Sequence, residues 1–358
     1  MRVALFTKQF LEPTHHAIAA VLGTLEPCRF SVYAKRLTLA GDPLGNVREY
    51  ALCPLGAMPV LPRGRYDLVH AIFDGDLAIV AAEAARRAEL PFVLSFHGGF
   101  DMHAKVLRPA YSHATRQIAQ AAAAVTVVCG ADALRLRALG VERPVEIVPV
   151  PVDPARLPPR RRAQPGRLIV IARLVEKKGV DIAIDALRHL PAQFRLTVVG
   201  DGPLETDLRA RAEDLGNRVE LAGQLSLEKT LRLAAGSEAL LHPARVARDG
   251  NAEGTPQAVL WAQALGLPVI AGATGSLREI VADRRTGMLV PPDDPVRLAA
   301  AILELREAPS LRRRLVAAAR WQVRRRHLLP QVSAQMLRLY RGIVGSPGVP
   351  PALATEAL

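Results

Sequence analysis

Residues 249–270 read DGNAEGTPQAVLWAQALGLPVI. A polar, glycine-bearing loop, Asp249-Gly250-Asn251-Ala252-Glu253-Gly254, runs directly into a helix start. Thr255 can cap that helix through its hydroxyl. Pro256 suits the first helical position, where a missing N–H costs nothing and φ is already helical. Gly266 fits the helix stop, Pro268 prevents continuation, and Val269-Ile270-Ala271 resumes as an apolar strand. The loop thus presents one carboxylate, Glu253, beside a helix N-terminus at Gly254-Thr255-Pro256 whose free amides favour an anion such as phosphate. A hydroxyl-grasping acid next to a diphosphate cradle suits a nucleotide-sugar.

Working outward, apolar runs of strand length alternate with helix-like segments on both sides. Val3–Phe6, Tyr66–Ala71, Phe92–Phe96, Val125–Cys129 and Val145–Pro149 read as buried strands in the first half. Pro154–Gly166, with Pro158, Pro159, Pro165 and Arg160-Arg161-Arg162, reads as an interdomain linker. Alternation then restarts with strands at Leu168–Ala172 and Leu196–Val199 and a short one from Val219. The expected class is α/β, two Rossmann-like doubly wound parallel-sheet domains over residues 1–157 and 158–328. Val296–Glu307 and Leu311–Arg325 read as amphipathic helices with basic faces. A last helix covers Gln331–Ile343 within 329–345, and residues 346–358 read as a loose tail.

Composition narrows the function classes. A chain of 358 residues exceeds what one core usually serves. Forty-seven Lys+Arg against 34 Asp+Glu give a formal charge of +13. Such an excess suits anionic substrates, anionic membranes or nucleic acid, or else arginine-rich solvated helices. With 4% aromatic residues to stack bases, no nucleic-acid partner is expected. Cys28, Cys53 and Cys129 are few and widely spaced, which fits a reducing cytoplasm and no metal or disulfide framework. No run approaches the roughly 18 uninterrupted apolar residues of a membrane span.

Several polar residues fall where an α/β sheet places its ligands, after the carboxyl ends of strands. Arg173 and Lys178, five apart on the loop after Leu168–Ala172, can converge on a diphosphate. Lys177 is read as a surface residue. His15 and His16 follow the first strand and either touch an acceptor or open a solvated helix. Asp74-Gly75-Asp76 looks like a metal-binding Asp-x-Asp, but it precedes the helix Leu77–Arg87 and is better read as capping acids. No catalytic metal is expected. Ser95-Phe96-His97-Gly98-Gly99-Phe100-Asp101 ends a strand with glycines that admit a ligand. Gly200-Asp201-Gly202-Pro203-Leu204-Glu205 lacks the third glycine of a dinucleotide fingerprint, so NAD is not expected.

Glu253-Gly254-Thr255-Pro256 followed by Trp261-Ala262-Gln263-Ala264-Leu265-Gly266-Leu267-Pro268-Val269 resembles the signature of retaining glycosyltransferases of family 4. With His242-Pro243-Ala244 and Asp249-Gly250, it is similar to the branch that builds exopolysaccharides such as colanic acid. The resemblance implies the GT-B fold, whose two domains face each other across a cleft, and a last helix that crosses back to the first domain. It implies that His97 sits at the donor sugar, and that Arg173 and Lys178 match the family's Arg-Leu…Lys-Gly loop. Gly200 and Gly202 match a turn that approaches the nucleotide, and Gln224 follows a strand whose end meets the base. The family's second glutamate is Trp261 here. Trp261 is donor-only and cannot repeat a carboxylate's grip on a ribose diol; it stacks beside the nucleotide or fills the core.

The reading that follows is a retaining, hexosyl-type glycosyltransferase with no metal or other cofactor. It moves a sugar from a nucleoside diphosphate sugar to a hydroxyl of a glycan or lipid-linked acceptor. His97, Arg173, Lys178 and Glu253 are the expected catalytic residues, with Gly200, Gly202, Gln224, Gly254, Thr255, Pro256 and Trp261 around the donor. The expected location is the cytoplasm, at the inner face of an anionic membrane. Two alternatives remain at this point: an epimerase of the same fold, and a non-catalytic nucleotide-sugar-binding partner subunit.

Overall fold

Short apolar runs rich in Val, Ile, Leu and Phe bury both faces when they become strands, and such strands assemble in parallel under helices. The computed structural model describes residues 1–10, 16–37, 47–53, 58–72, 75–97 and 109–344. His15, Asp74 and Gly98 to Asp101 lie outside them. The chain divides into two units, Met1–Pro151 with Leu329 onward, and Val152–Leu328.

The first unit runs β1 (Arg2–Phe10), α1 (His16–Gly23), β2 (Arg29–Leu37), β3 (Val47–Leu52), β4 (Leu68–Ile72), α2 (Gly75–Arg87) and β5 (Phe92–Phe96). It continues with α3 (Pro109–Ala121), β6 (Ala124–Val127), α4 (Gly130–Ala138) and β7 (Val145–Ile147). The strands form one sheet in the order β3-β2-β1-β4-β5-β6-β7, parallel throughout, with Val3 opposite both Phe30 and Leu68. Side chains alternate between two cores. Val3 and Leu5 pack with Phe30, Val32 and Val93 on one face, and Ala4 and Phe6 pack with Val69, Leu94 and Phe96 on the other.

The second unit runs β8 (Arg167–Ile171), α5 (Val180–Ala186), β9 (Arg195–Val199), α6 (Glu205–Arg211), β10 (Val219–Leu221), α7 (Leu227–Gly236) and β11 (Ala239–His242). After these come α8 (Gln257–Leu265), β12 (Val269–Gly272), α9 (Leu277–Ile280), β13 (Met288–Val290), α10 (Pro295–Glu307) and α11 (Pro309–Arg326). Its parallel sheet has the order β10-β9-β8-β11-β12-β13. Strand order reverses between β8 and β11, so the loops after these two strands diverge and leave a crevice at their carboxyl ends.

The final helix, α12 (Leu329–Val344), packs in the first unit. Its Val332, Met336 and Tyr340 join the core around Leu5, Phe30 and Leu68. Polar contacts fix its register: Ser333 Oγ lies 2.6 Å from Thr24 Oγ1, and Tyr340 Oη lies 2.6 Å from His70 Nδ1. His70 Nε2 meets Ser95 Oγ, which meets Thr126 Oγ1, both at 2.6 Å, so one buried polar chain crosses β4, β5 and β6.

Residues 154–166 belong to the second unit. Asp153 caps a short 3-10 turn at Pro154–Arg156. Arg161 N and Gln164 N donate to Ala235 O and Gly236 O, and the Arg160 guanidinium reaches Ala235 O and Ser237 O. An arginine on the unpaired carbonyls of a helix C-terminus satisfies both their hydrogen bonds and the helix dipole. Among the described residues no helix is long and apolar enough to cross a membrane.

Candidate active site

Two loops at the strand reversal build the site. After β8 the chain passes Arg173, makes a 3-10 turn at Glu176–Lys178, and enters α5 through Gly179. After β11 it passes Pro243 and Asp249-Gly250, then reaches Glu253 and α8. The loops are stitched by Arg245 N donating to Lys177 O at 3.0 Å and by the Arg245–Asp181 ion pair. Glu253 is therefore held between the two strands where the sheet changes direction.

Glu253 is 3% exposed. Lys178 Nζ donates to its Oε2 at 2.7 Å, and Lys177 Nζ stands 3.7 Å from Oε1. His242 Nε2, at the end of β11, is 3.5 Å from Oε2, a contact that falls short of a hydrogen bond. Burial alone would push the Glu253 carboxyl up. The Lys178 charge, helped by that of Lys177, overcomes it and holds the group well below the usual carboxylate range. Burial pushes His242 down against the pull of Glu253, so the imidazole is neutral near pH 7.

Polar atoms left over around Glu253 mark the space as ligand-directed. Glu253 Oε1, both His242 nitrogens, Thr255 Oγ1 and Thr274 Oγ1 are buried without a hydrogen-bond partner among the described residues. Such groups are costly unless something completes them. The backbone beside them is fixed, because Ser276 Oγ donates to Glu253 O at 3.0 Å and also to Gly254 O.

Lys177, read from sequence as a surface residue, is 8% exposed. Its Nζ donates to Asn251 Oδ1 and Ala252 O, both at 3.2 Å. The helix start also differs from the expectation. α8 begins at Gln257, Pro256 is its N-cap with φ −69° and ψ 118°, and no side chain caps it. A proline φ fits either an N-cap or the first helical turn, so φ alone did not decide, and the extended ψ leaves the Thr255 hydroxyl outside capping range. Gly266 does end the helix, in the left-handed region at φ 76°.

Arg173 is exposed on the same loop, with no ion-pair partner among the described residues. Gly200 and Gly202 have φ +136° and +155°. A side chain on Gly200 would collide with Ala172 O, and one on Gly202 with the backbone of Leu174. Close approach of the β9 loop to the Arg173 loop thus requires both glycines, and Leu174 N donates to Asp201 O at 2.7 Å across that junction. Gln224 is exposed beyond β10. Trp261 is 6% exposed on α8. His97 follows β5 in the first unit, and His16 is the first residue of α1. Lys178, Glu253, Thr255 and the α8 start are brought together in one place. His242 and Lys177 join them, and the signal for both was weak: one polar residue ending an apolar run, and one of two adjacent lysines.

Known proteins share this sequence and architecture. The description Glycosyltransferase Family 4 matches residues 32–156, and Glycosyl transferases group 1 matches residues 156–322. WcaL of Salmonella typhimurium, a glycosyltransferase named for colanic acid biosynthesis, is 29% identical over 282 residues, 76% of this chain and 68% of the relative. The amylovoran biosynthesis glycosyltransferase AmsK of Erwinia amylovora is 36% identical over 165 residues, 45% of this chain and 40% of its own length. The chain thus matches less than half of that relative. A crystal structure of HepE from Anabaena in complex with UDP-glucose superposes with a TM-score of 0.78 over 96% of this chain and 100% of HepE. Identity there is 19%, so that likeness concerns the fold. The chain belongs to the glycosyltransferase group 1 and family 4 family and has its GT-B fold of two Rossmann-like parallel-sheet domains.

Proposed function

We propose that this protein transfers a hexosyl group from a nucleoside diphosphate sugar to a hydroxyl of a glycan or lipid-linked acceptor, with retention of configuration. The observation that supports this reading best is Glu253, buried at the strand reversal yet kept ionised by Lys178 and Lys177. An enclosed carboxylate with an open lone-pair side is suited to accept hydrogen bonds from sugar hydroxyls. Arg173 and Lys178 lie on one loop and can meet the charge that grows on a departing diphosphate, as the amides at Gly254, Thr255 and the α8 start can. These two cations could supply the neutralisation that a metal would otherwise provide, so the proposal invokes no metal or other cofactor. Retention, by same-face attack with the leaving phosphate taking the acceptor proton, rests on the family resemblance. So do the roles of His97 at the donor sugar, and of Gly200, Gly202 and Gln224 near the nucleotide. The biosynthetic names of WcaL and AmsK support a polysaccharide pathway acceptor.

The proposed setting is the cytoplasmic face of an anionic membrane. α11 carries seven arginines and no acid, and Arg325 stacks 4.9 Å above the ring of Trp321, which is 61% exposed. A basic face with one exposed aromatic suits a phosphate-rich interface. Cosedimentation with phosphatidylglycerol vesicles, lost at high salt and in Trp321→Ala, tests that part. The chemistry is tested by incubating the protein with a panel of nucleotide-sugars and candidate acceptors, with and without chelator, and reading the anomer formed by NMR. Turnover that survives chelation and keeps the donor's anomeric configuration is expected. An inverted product, or a chelator-sensitive rate, overturns the corresponding claim.

A further inference from the structure

Two neighbouring lysines approach one carboxylate, and they do so on different terms. Lys177 Nζ makes two hydrogen bonds to the Glu253 loop, to Asn251 Oδ1 and Ala252 O, besides its 3.7 Å approach to Oε1. Two of the three donors of its ammonium are thus used on that loop. The Lys177 carbonyl is also engaged, by Arg245 N. Lys178 Nζ holds Glu253 alone, and its side chain is the more exposed of the two, 16% against 9%. Lys178 can leave at the loss of one contact, whereas Lys177 cannot move without releasing the loop.

We propose that Lys177 is a positioning residue: it latches the Glu253 loop to the loop after β8 and remains as the counter-charge of Glu253 when a donor diphosphate draws Lys178 away. This rests on the reading that Lys178 meets the diphosphate. A carboxylate as enclosed as Glu253 does not stay ionised without a partner. Once Lys178 turns to phosphate, the ion-pairing groups still within 4 Å among the described residues are Lys177 and His242, and burial opposes a charge on His242. Burial, first, and the Lys178 and Arg173 charges lower the Lys177 pKa, and Glu253 pulls the other way. If Lys177 were absent, Glu253 would take up a proton on donor binding and lose acceptor capacity toward the sugar.

The test is proton-linked calorimetry. Binding of UDP, GDP, ADP and dTDP is measured at pH 6 in two buffers of different ionisation enthalpy, which yields protons taken up per nucleotide bound. Lys177→Gln keeps a polar group for the loop and removes the charge. It is expected to take up about one half to one proton more than the wild type. The excess should vanish in Lys177→Gln/Glu253→Gln. Equal proton uptake in the wild type and Lys177→Gln overturns the counter-charge role, even if the loop is intact by thermal melting. If Lys177→Gln fails to fold, Lys177→Arg, which keeps the charge, must show wild-type proton uptake, and a departure from it overturns the proposal. The underlying reading fails separately, if Lys178→Met binds each nucleotide as the wild type does or if the wild type binds none; the proposal then falls with it.

Discussion

Lys178 Nζ and Glu253 Oε2 are 2.7 Å apart, and they come from two loops separated by 75 residues in sequence. A charge-assisted hydrogen bond of this length, inside a nearly closed space, ties the loop after β8 to the loop before α8. Both lysines on the first loop depend on that carboxylate.

Removing it exposes the dependence. Glu253→Gln leaves two enclosed ammonium groups facing a neutral amide, and breaking one side of a buried ion pair typically costs about 3–5 kcal/mol. Urea unfolding is expected to show a loss toward that range. Transfer activity should fall by about two to three decades if Glu253 is the sugar clamp proposed above, because an amide is the weaker acceptor. A variant with wild-type stability and rate would show that the Glu253 pair is incidental.

The glycine at position 200 is a steric requirement of the loop junction. Gly200→Ala puts a methyl group against Ala172 O at φ +136°, whereas Gly216→Ala, at φ +51°, meets nothing within 4 Å. The second substitution should cost about 1–2 kcal/mol from backbone conformation alone. The first should cost clearly more and lower nucleotide affinity too. Paired denaturation curves decide it, and equal losses would mean that the close approach is not maintained.

Acid should weaken the first unit through His70. Burial, with His97 nearby, lowers its pKa to about 3, against an ordinary value near 6.5. Between those values the unfolded chain binds a proton that the folded chain does not, so stability falls as pH drops from 6.5 toward 3. His70 contributes up to about 1.4 kcal/mol per pH unit there, and His242 acts in the same direction on the second unit. Tyr340→Phe removes the partner of His70 Nδ1 and should cost about 1–3 kcal/mol at neutral pH. Urea midpoints at pH 7.5 and 5.5 check both, and a His70→Asn variant with an unchanged pH slope would contradict the assignment.

Trp261 stands where the family's second glutamate would be, and it is 6% exposed on α8. Trp261→Glu should therefore cost stability, about 3–5 kcal/mol for a large-to-small change with an unpaired acid, before it alters donor affinity. Trp261→Phe should be tolerated. Nucleotide affinity lost in Trp261→Phe at unchanged melting temperature would show that the indole itself meets the donor.

Much of this arrangement was legible from punctuation. Gly254, Pro256, Gly266 and Pro268 bracket a helix, and apolar runs such as Val3–Phe6 and Phe92–Phe96 have strand length and β-branched or aromatic content. β11 was not legible as a strand, since Ala239-Leu240-Leu241 favours helix by propensity and only burial on both faces decides otherwise. β2 carried a signal in the alternation of Phe30, Val32 and Ala34, interrupted by the polar Arg29, Ser31 and Lys35. Sequence placed Lys177 on the surface, and its burial was not legible there. Adjacent residues on a 3-10 turn point about 120° apart, and which one faces inward is set by Asn251 and Ala252, far along the chain.

The central claim is that this loop pair holds the diphosphate of a nucleotide-sugar. Titration calorimetry of UDP, GDP, ADP and dTDP against the wild type, Arg173→Ala and Lys178→Met addresses it without knowledge of the acceptor. The account predicts one-to-one binding of at least one nucleotide, with Kd raised about tenfold or more in each variant. Binding that is absent from the wild type, or unchanged in both variants, would contradict it.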